Sequence, residues 1–437
     1  MHPDGRTKRR QRRILIATIA TCIVASLVLV AYPFVRHHYD VSHAQSLLKN
    51  RLTKQALLVL EGAVTRNPDC GQLQFLIARC QRRMGRMDKA CEYLAKAAVR
   101  SFSKHELDRE EWLALAQSGQ MREAQPHLSE LLVNPGDDGA EICEAYVNGF
   151  FLTNQFDRAF ELLAAWEAAF PQDSQPYLFR GRYQEGRANF SEAIVAYRQG
   201  LFRESGRPDL LLNLSRCLIA LHEHEEASQI LTHLQTEMPN DAEVLEVMGR
   251  CLLQHGETEK SRQVLNKLLN LFPKHATARL LIARCYQEER RHHDSLTLLE
   301  ELAAERSFDI EVRYSFALTL QSTGDTHRAA EEFQFVTTAR EAIAQARQMS
   351  DTVIAKEPRN ADLRYQIGAI LLKYESPEAG AGWLRSALEF DPNHQLAHKA
   401  LAEFYDQRGL VDFARSHREQ QQASETSGQA SHRPATK

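Results

Sequence analysis

Four arginines recur at a fixed interval in the middle of the chain: Arg182, Arg216, Arg250 and Arg284 follow one another at 34 residues. A guanidinium group is planar, always charged and carries a fork of donors that matches carboxylate and phosphate oxygens. A regular row of them is the most chemically suggestive pattern in the sequence. Two readings fit it. The row binds an acidic peptide or acidic chain terminus, or each arginine pairs with a neighbouring acid, such as Glu185, Glu246 or Glu288, and only holds the chain's own elements together.

Other chemistry is sparse. His222, His224, Glu225 and Glu226 form the most ligand-like cluster, and His292, His293 and Asp294 a second one. Both read as polar turns, and no metal is expected at either. Eight cysteines stand at 22, 70, 80, 91, 143, 217, 251 and 285, with no CxxC pair, so zinc-ribbon and thioredoxin-type chemistry is excluded. No phosphate-binding loop, GxSxG, HExxH or GxGxxG pattern occurs, so neither an enzyme nor a cofactor is expected. The first thirteen residues hold six basic groups and one acid, and with a net charge of −3 overall the rest of the chain is acidic. That balance argues against a nucleic-acid binder, which needs positive surface to displace counterions. No small-molecule substrate is expected either.

The elements that must position the arginines declare themselves by the same period. Ser215, Gly249 and Ala283 are 34 apart, as are Leu231, Leu265 and Leu299, and as are Pro239 and Pro273. Small residues at a fixed offset let one helix approach another, and a proline closing each unit ends a helix, because it lacks an N–H and clashes with the preceding turn. A period near 34 of this kind means stacked helical hairpins. Cys217, Cys251 and Cys285 each follow one of the arginines and read as small apolar fillers, roughly 9–10 Å apart and too distant for a disulfide.

This pattern resembles the tetratricopeptide repeat (TPR) family. The stretch from Gly71 carries Ala78, Gly85, Ala90, Leu94 and Ala97 at the family's positions. The stretch from Ser174 carries Gly181, Ala193 and Tyr197, and that from Ile310 carries Ala317, Gly324, Ala329 and Phe333. Ala361 opens one with Gly368, Leu384, Ala387 and Pro392, and Gln395 another with Ala402, Gly409 and Ala414. About eleven units run from Tyr39 to Arg418. The resemblance implies an all-α, right-handed solenoid of helical hairpins. It also implies that ninth-position residues of each first helix line a concave groove. Arg79 holds that position as well, so the candidate groove residues are Arg79, Arg182, Arg216, Arg250 and Arg284. The family's carboxylate clamp needs a Lys and Asn set that only Asn213 matches in part, so that activity is not implied.

Taken in order, the chain divides as follows. Residues 1–13 read as a basic cytoplasmic tail. Residues 14–35 have no charge and as a helix would be about 33 Å long, enough for a transmembrane anchor, the competing reading being a cleaved signal peptide with an unusually long apolar region. Basic groups before it place the N-terminus in the cytoplasm and the rest across the membrane. Membrane-proximal TPR-like repeats follow at 37–136, the weakest unit having Trp112 at a small-residue position and Pro126 inside its second helix. The main array is expected at 140–343. A helical insertion at 344–360 extends a second helix from Thr326 to about Lys356, whose extra apolar residues are either covered by the next repeat through Tyr365 and Ile370 or form an exposed stripe that docks a partner or a second copy of the chain. C-terminal TPR-like repeats span 361–418, and 419–437 should be a disordered tail.

The expected function is a membrane-anchored scaffold that binds protein partners on the non-cytoplasmic side, in the periplasm of a bacterial inner membrane. The chain resembles bacterial membrane-anchored TPR proteins, without the C-terminal cysteine-rich module that one kind of them carries. The alternative is a non-catalytic accessory subunit of an envelope enzyme complex, related to polysaccharide or cytochrome chemistry. A reporter fused after Lys437 should be active only in an exported compartment. Activity of that fusion in the cytoplasm would overturn the orientation.

Overall fold

The computed structural model describes Tyr32, residues 34–353 and residues 356–431. Residues 1–31, most of the expected anchor and all of the basic tail, lie outside the described residues. Among the described residues no helix is long and apolar enough to cross a membrane. They contain helices and no strand. Their contacts divide into two units, one up to Gly136 and one from Asp137.

The first unit holds α1 (34–49), α2 (Thr53–Arg66), α3 (Gly71–Arg83), α4 (Met87–Val99), α5 (Lys104–Gln117), α6 (Met121–Ala124) and α7 (Leu128–Val133). The second holds α8 (Gly139–Leu152), α9 (Phe156–Ala169), α10 (Gln175–Gly186), α11 (Phe190–Arg203), α12 (Pro208–Ala220) and α13 (His224–Glu237). It continues with α14 (Ala242–Gln254), α15 (Thr258–Leu271), α16 (Ala276–Glu288), α17 (His292–Glu305), α18 (Ile310–Thr323) and α19 (Thr326–Gln348). It ends with α20 (Ala361–Tyr374), α21 (Pro377–Phe390), α22 (Gln395–Asp406) and α23 (Val411–Ser431). Consecutive helices pair into hairpins, and each unit is a TPR-like stack of them.

The packing rule within a hairpin is a small residue on the first helix against a large one on the second. A Cβ on Gly249 would lie 2.5 Å from Leu265 Cδ2, and one on Gly368 would meet Leu384 at 3.0 Å. Gly181 is covered in the same way by Tyr197, whose hydroxyl donates to Glu185 at 2.7 Å. The turn between the two helices carries one residue at positive φ in every hairpin but α20–α21, whose Glu375 and Ser376 stay at negative φ. Gly85, Gly256 and Gly324 fill it without strain, whereas Asn154, Ala188, His222 and Arg290 adopt the same left-handed backbone in their hairpins.

Two irregular segments have identifiable causes. Pro126 breaks the second helix of its hairpin into α6, a 3-10 turn at Gln125–His127 and α7. Trp112, at a position where other hairpins have a small residue, stacks flat on His127 at 3.9 Å instead of admitting the partner helix.

The lengthened second helix is present and unbroken through residues 342–346, but its α-helical part stops at Gln348. A π-turn at Met349–Val353 replaces the expected continuation to Lys356. The run Ser350-Asp351-Thr352 is poor in helix formers, which explains the change. Ala346 and Met349 pack against Leu363, Ile367 and Ile370 of α20, and Tyr365 belongs to a separate cluster with Leu384 and Leu401. Ile354 and the side chain of Val353 lie outside the described residues. Over the expected tail from 419, the backbone of α23 continues to Ser431.

Phe156 of α9 joins the same cluster as Leu363, Leu371 and Trp383, so the first and seventh hairpins of the second unit meet. Replacing Gly249 by Leu should destabilise the chain by about 1–3 kcal/mol through overpacking against Leu265. Thermal melting checks this, and an unchanged curve would refute the small-against-large rule.

Candidate functional site: the arginine row on the first helices

Arg182, Arg216, Arg250 and Arg284 lie on α10, α12, α14 and α16, the first helices of four successive hairpins. First helices of successive hairpins pack against one another, and no comparable contact joins successive second helices. The first helices therefore form the inner, concave side of the stack. Arg250 confirms the curvature: its Nη1 lies 3.9 Å from Glu311 Oε2 on α18, across the intervening α16.

Each arginine has a distinct electrostatic setting. Arg216 donates from Nη1 to Asn213 Oδ1 at 2.9 Å and from Nη2 to Glu243 Oε2 at 3.1 Å. Arg284 donates from Nη2 to Glu311 Oε2 at 3.2 Å and from Nε to Ser315 Oγ at 3.1 Å. Arg250 has only longer ion pairs, to Glu246 at 3.6 Å and Glu311 at 3.9 Å. Arg182 is exposed and makes no ion pair among the described residues. The side chains of Arg216, Arg250 and Arg284 are 32%, 27% and 29% exposed, so water and salt reach all three pairs.

A rule underlies these partners. Glu243 stands 27 residues after Arg216, and Glu311 stands 27 after Arg284. The acid is the second residue of the next first helix. At the corresponding place after Arg250 the chain has Thr277, so Arg250 shares Glu311 with Arg284. A cavity of about 230 Å³ lies there, lined by Arg250, Thr277, Leu280, Arg306, Asp309 and Glu311. After Arg182 the corresponding acid is Asp209, which Arg207 holds at 2.7 Å.

Of the acids expected from the sequence, Glu246 pairs with Arg250, while Glu185 accepts from Tyr197 and Arg284 turns to Glu311 rather than to Glu288. Glu243 and Glu311 were missed, although the recurring interval of 27 was visible in the sequence.

Arg79 belongs to the first unit, where its Nε lies 3.8 Å from Glu110. The same carboxylate accepts from Arg82 Nε at 2.5 Å, and both of these side chains are almost wholly buried. Glu110 thus serves two guanidinium groups inside that unit's core.

The two histidine clusters lie at turns between paired helices. His224 lies between His222 and His255, with ring centroids 5.7 and 5.8 Å away. Burial, then the charges of those two rings, holds its imidazole below the usual histidine range. Among the described residues no three His, Cys, Asp or Glu side chains are placed to hold a metal. Arg291 holds Asp294 at 2.7 Å in the second turn cluster. The thiols of Cys217, Cys251 and Cys285 are buried and free, and burial pushes Cys217 up to about 12.

Thr277→Glu should supply the missing acid and pair with Arg250. A double-mutant cycle with Arg250→Ala should give a coupling of about 0.2–1 kcal/mol. Zero coupling would show that the two positions do not meet.

Comparison with known proteins follows the same lines. Tetratricopeptide repeat models match residues 184–251 and 252–317, and a second such model matches 41–105. No curated protein matches the chain. Among solved structures, a tetratricopeptide repeat protein from Parabacteroides merdae is similar at 20% identity and a TM-score of 0.39, over 63% of this chain and 98% of that one. A human IFIT1 dimer with m7Gppp-AAAA is similar at 14% identity and a TM-score of 0.43, over 80% of this chain and 89% of that one. A thermophilic TPR protein of Thermus thermophilus is similar at 17% identity and a TM-score of 0.35, over 46% and 99%. With its repeat models, its 34-residue period and its stacked hairpins, the chain belongs to the tetratricopeptide repeat family, whose members generally mediate protein–protein interactions.

Proposed function

We propose that the chain is a non-catalytic scaffold, anchored by residues 14–35 in a bacterial inner membrane, that binds an acidic segment of a protein partner on the non-cytoplasmic side. The observation that carries the binding reading is the arginine row. Arg216, Arg250 and Arg284 already hold carboxylates, those of Glu243, Glu246 and Glu311, at partly exposed positions on the concave side. An acidic partner segment would exchange its own carboxylates for these internal ones. The exchange is cheap, because a solvent-reached ion pair contributes only about 0–1 kcal/mol. Arg182, which has no such internal pair, would meet the segment without any exchange. The anchor reading rests on the uncharged run from Ile14 to Val35 behind a basic block.

A fluorescein-labelled hexaglutamate peptide serves as probe. The full chain in detergent should bind it, and added salt should weaken the binding. Arg216→Ala with Arg250→Ala should weaken it further while leaving the melting temperature nearly unchanged. Normal binding by the double variant, with a much lower melting temperature, would make the row a purely structural brace.

A further inference from the structure

The second unit closes on itself where its first hairpin, α8–α9, meets its seventh, α20–α21. Arg364 of α20 reaches from the seventh hairpin to the end of α8, where its Nη1 donates to the carbonyls of Thr153 and Asn154 at 3.4 Å each. Within its own hairpin it donates to Ser386 Oγ, and its Nη2 donates to the carbonyl of Pro358 at 2.7 Å. Its guanidinium lies over the rings of Phe390 and Trp383, at 4.6 and 5.7 Å. Phe156 of α9 meets Trp383 edge to face at 6.4 Å. Outside this centre, Arg187 of the second hairpin pairs with Asp351 of the π-turn at 2.5 Å.

The make-up of this contact is that of a joint that opens. Arg364 is 2% exposed, and among the described residues no carboxylate pairs with it. Burial pushes its pKa down to about 10. A buried cation held by carbonyls and one hydroxyl, with no carboxylate, keeps much of its desolvation cost, and water returns when the joint parts. The carbonyls it caps lie at the negative end of the α8 dipole, which offsets part of that cost. The outer pair, Arg187–Asp351, is 36% and 41% exposed and is screened by salt. Asp351 sits in a π-turn, a local irregularity in an otherwise regular helix. Gly382 of α21 supplies the closest backbone approach: a Cβ there would lie 3.1 Å from the Leu152 carbonyl and would meet nothing else within 4 Å.

We propose that the meeting of the first and seventh hairpins is a clasp that opens to admit a partner segment to the arginine row. With the clasp shut, the first helices form the inside of a closed ring. With it open, the concave side is reachable along its length by an extended acidic chain. This gate rests on the reading of the row as an acidic-segment site.

The clasp has a selective lever. Gly382→Met wedges Leu152 away without touching the packing of its own hairpin, and removes a helix-interior glycine as well. Asp351→Lys sets two cations face to face and is an exposed change, so it keeps the test valid if the wedge misfolds. The full chain in detergent, labelled with 5-fluorotryptophan, gives one fluorine resonance for each of Trp112, Trp166 and Trp383, the last assigned by Trp383→Phe. A soluble paramagnetic quencher should leave the Trp383 resonance sharp in the wild type and broaden it in both variants. The hexaglutamate probe should associate about tenfold faster with the variants, because the competent open state is no longer rare. Saturating probe should also expose Trp383 in the wild type. Trp383 as shielded in both variants as in the wild type would overturn the clasp. Trp383 exposed with an unchanged association rate would overturn the gate. A probe that binds none of the forms would overturn the arginine-row reading and the gate with it, and the Trp383 resonance would then show separately whether the joint opens.

Discussion

The regular hairpins depend on the interpenetration of a small residue and a large one. Gly249 leaves room for Leu265, Gly181 for Tyr197 and Gly368 for Leu384. Where that room exists, the two helices lie close, and each hairpin offers the same shape to the next. Stability in such a stack is shared between neighbours, so one misfit loosens more than its own unit. The arginine row is a by-product of this regularity. Residues 34 apart become neighbours in space only because successive hairpins repeat the same packing and the same turn. Trp112 shows the converse. Without a small residue at that place, its hairpin carries the stack of Trp112 on His127, and Pro126 breaks the second helix.

The hairpins were legible because their determinants are local. Small residues, turn glycines and closing prolines each act within one unit and recur in the next, so a single sequence shows them many times over. The ion pairs were only half legible. Glu185 and Glu288 lie close to their arginines in sequence, whereas the partners that matter for Arg216 and Arg284 lie on the next hairpin, 27 residues on. That interval repeats, but it becomes meaningful only once first helices are known to pack side by side. The end of α19 was misjudged for a different reason. Apolar residues keep helical spacing through Val353, yet the backbone changes to a π-turn at Met349, where side-chain periodicity carries little information.

Charge along the concave side is balanced by the chain itself. Glu243, Glu246 and Glu311 answer three of the four arginines, and the break in the pattern at Thr277 makes one carboxylate serve two guanidinium groups. A balanced, partly hydrated row differs from a bare basic strip. It gains little from any small anion, since three of its four arginines already have a carboxylate, and it favours ligands whose several carboxylates replace the internal ones together. Multiple weak exchanges along one chain add up without any single strong contact.

The closure of the second unit had no signature in the sequence, because it depends on rotation accumulated over six hairpins. Its position is nonetheless set by one local feature. α19 has 23 residues, against 14 for the second helices α11, α13, α15 and α17. The nine extra residues add roughly 13 Å of helix. Ala346 lies on that extension and Met349 just beyond it, and these are the residues on which Leu363, Ile367 and Ile370 settle. The seventh hairpin therefore packs on the extension, not only on the face a regular repeat would offer. The extension and the closing contact share one apolar cluster, in which Ala346, Leu363, Trp383 and Phe156 all take part. A shift of α19 must then move the seventh hairpin relative to Phe156, so the helix that departs most from the repeat is also the one mechanically joined to the place where the unit closes.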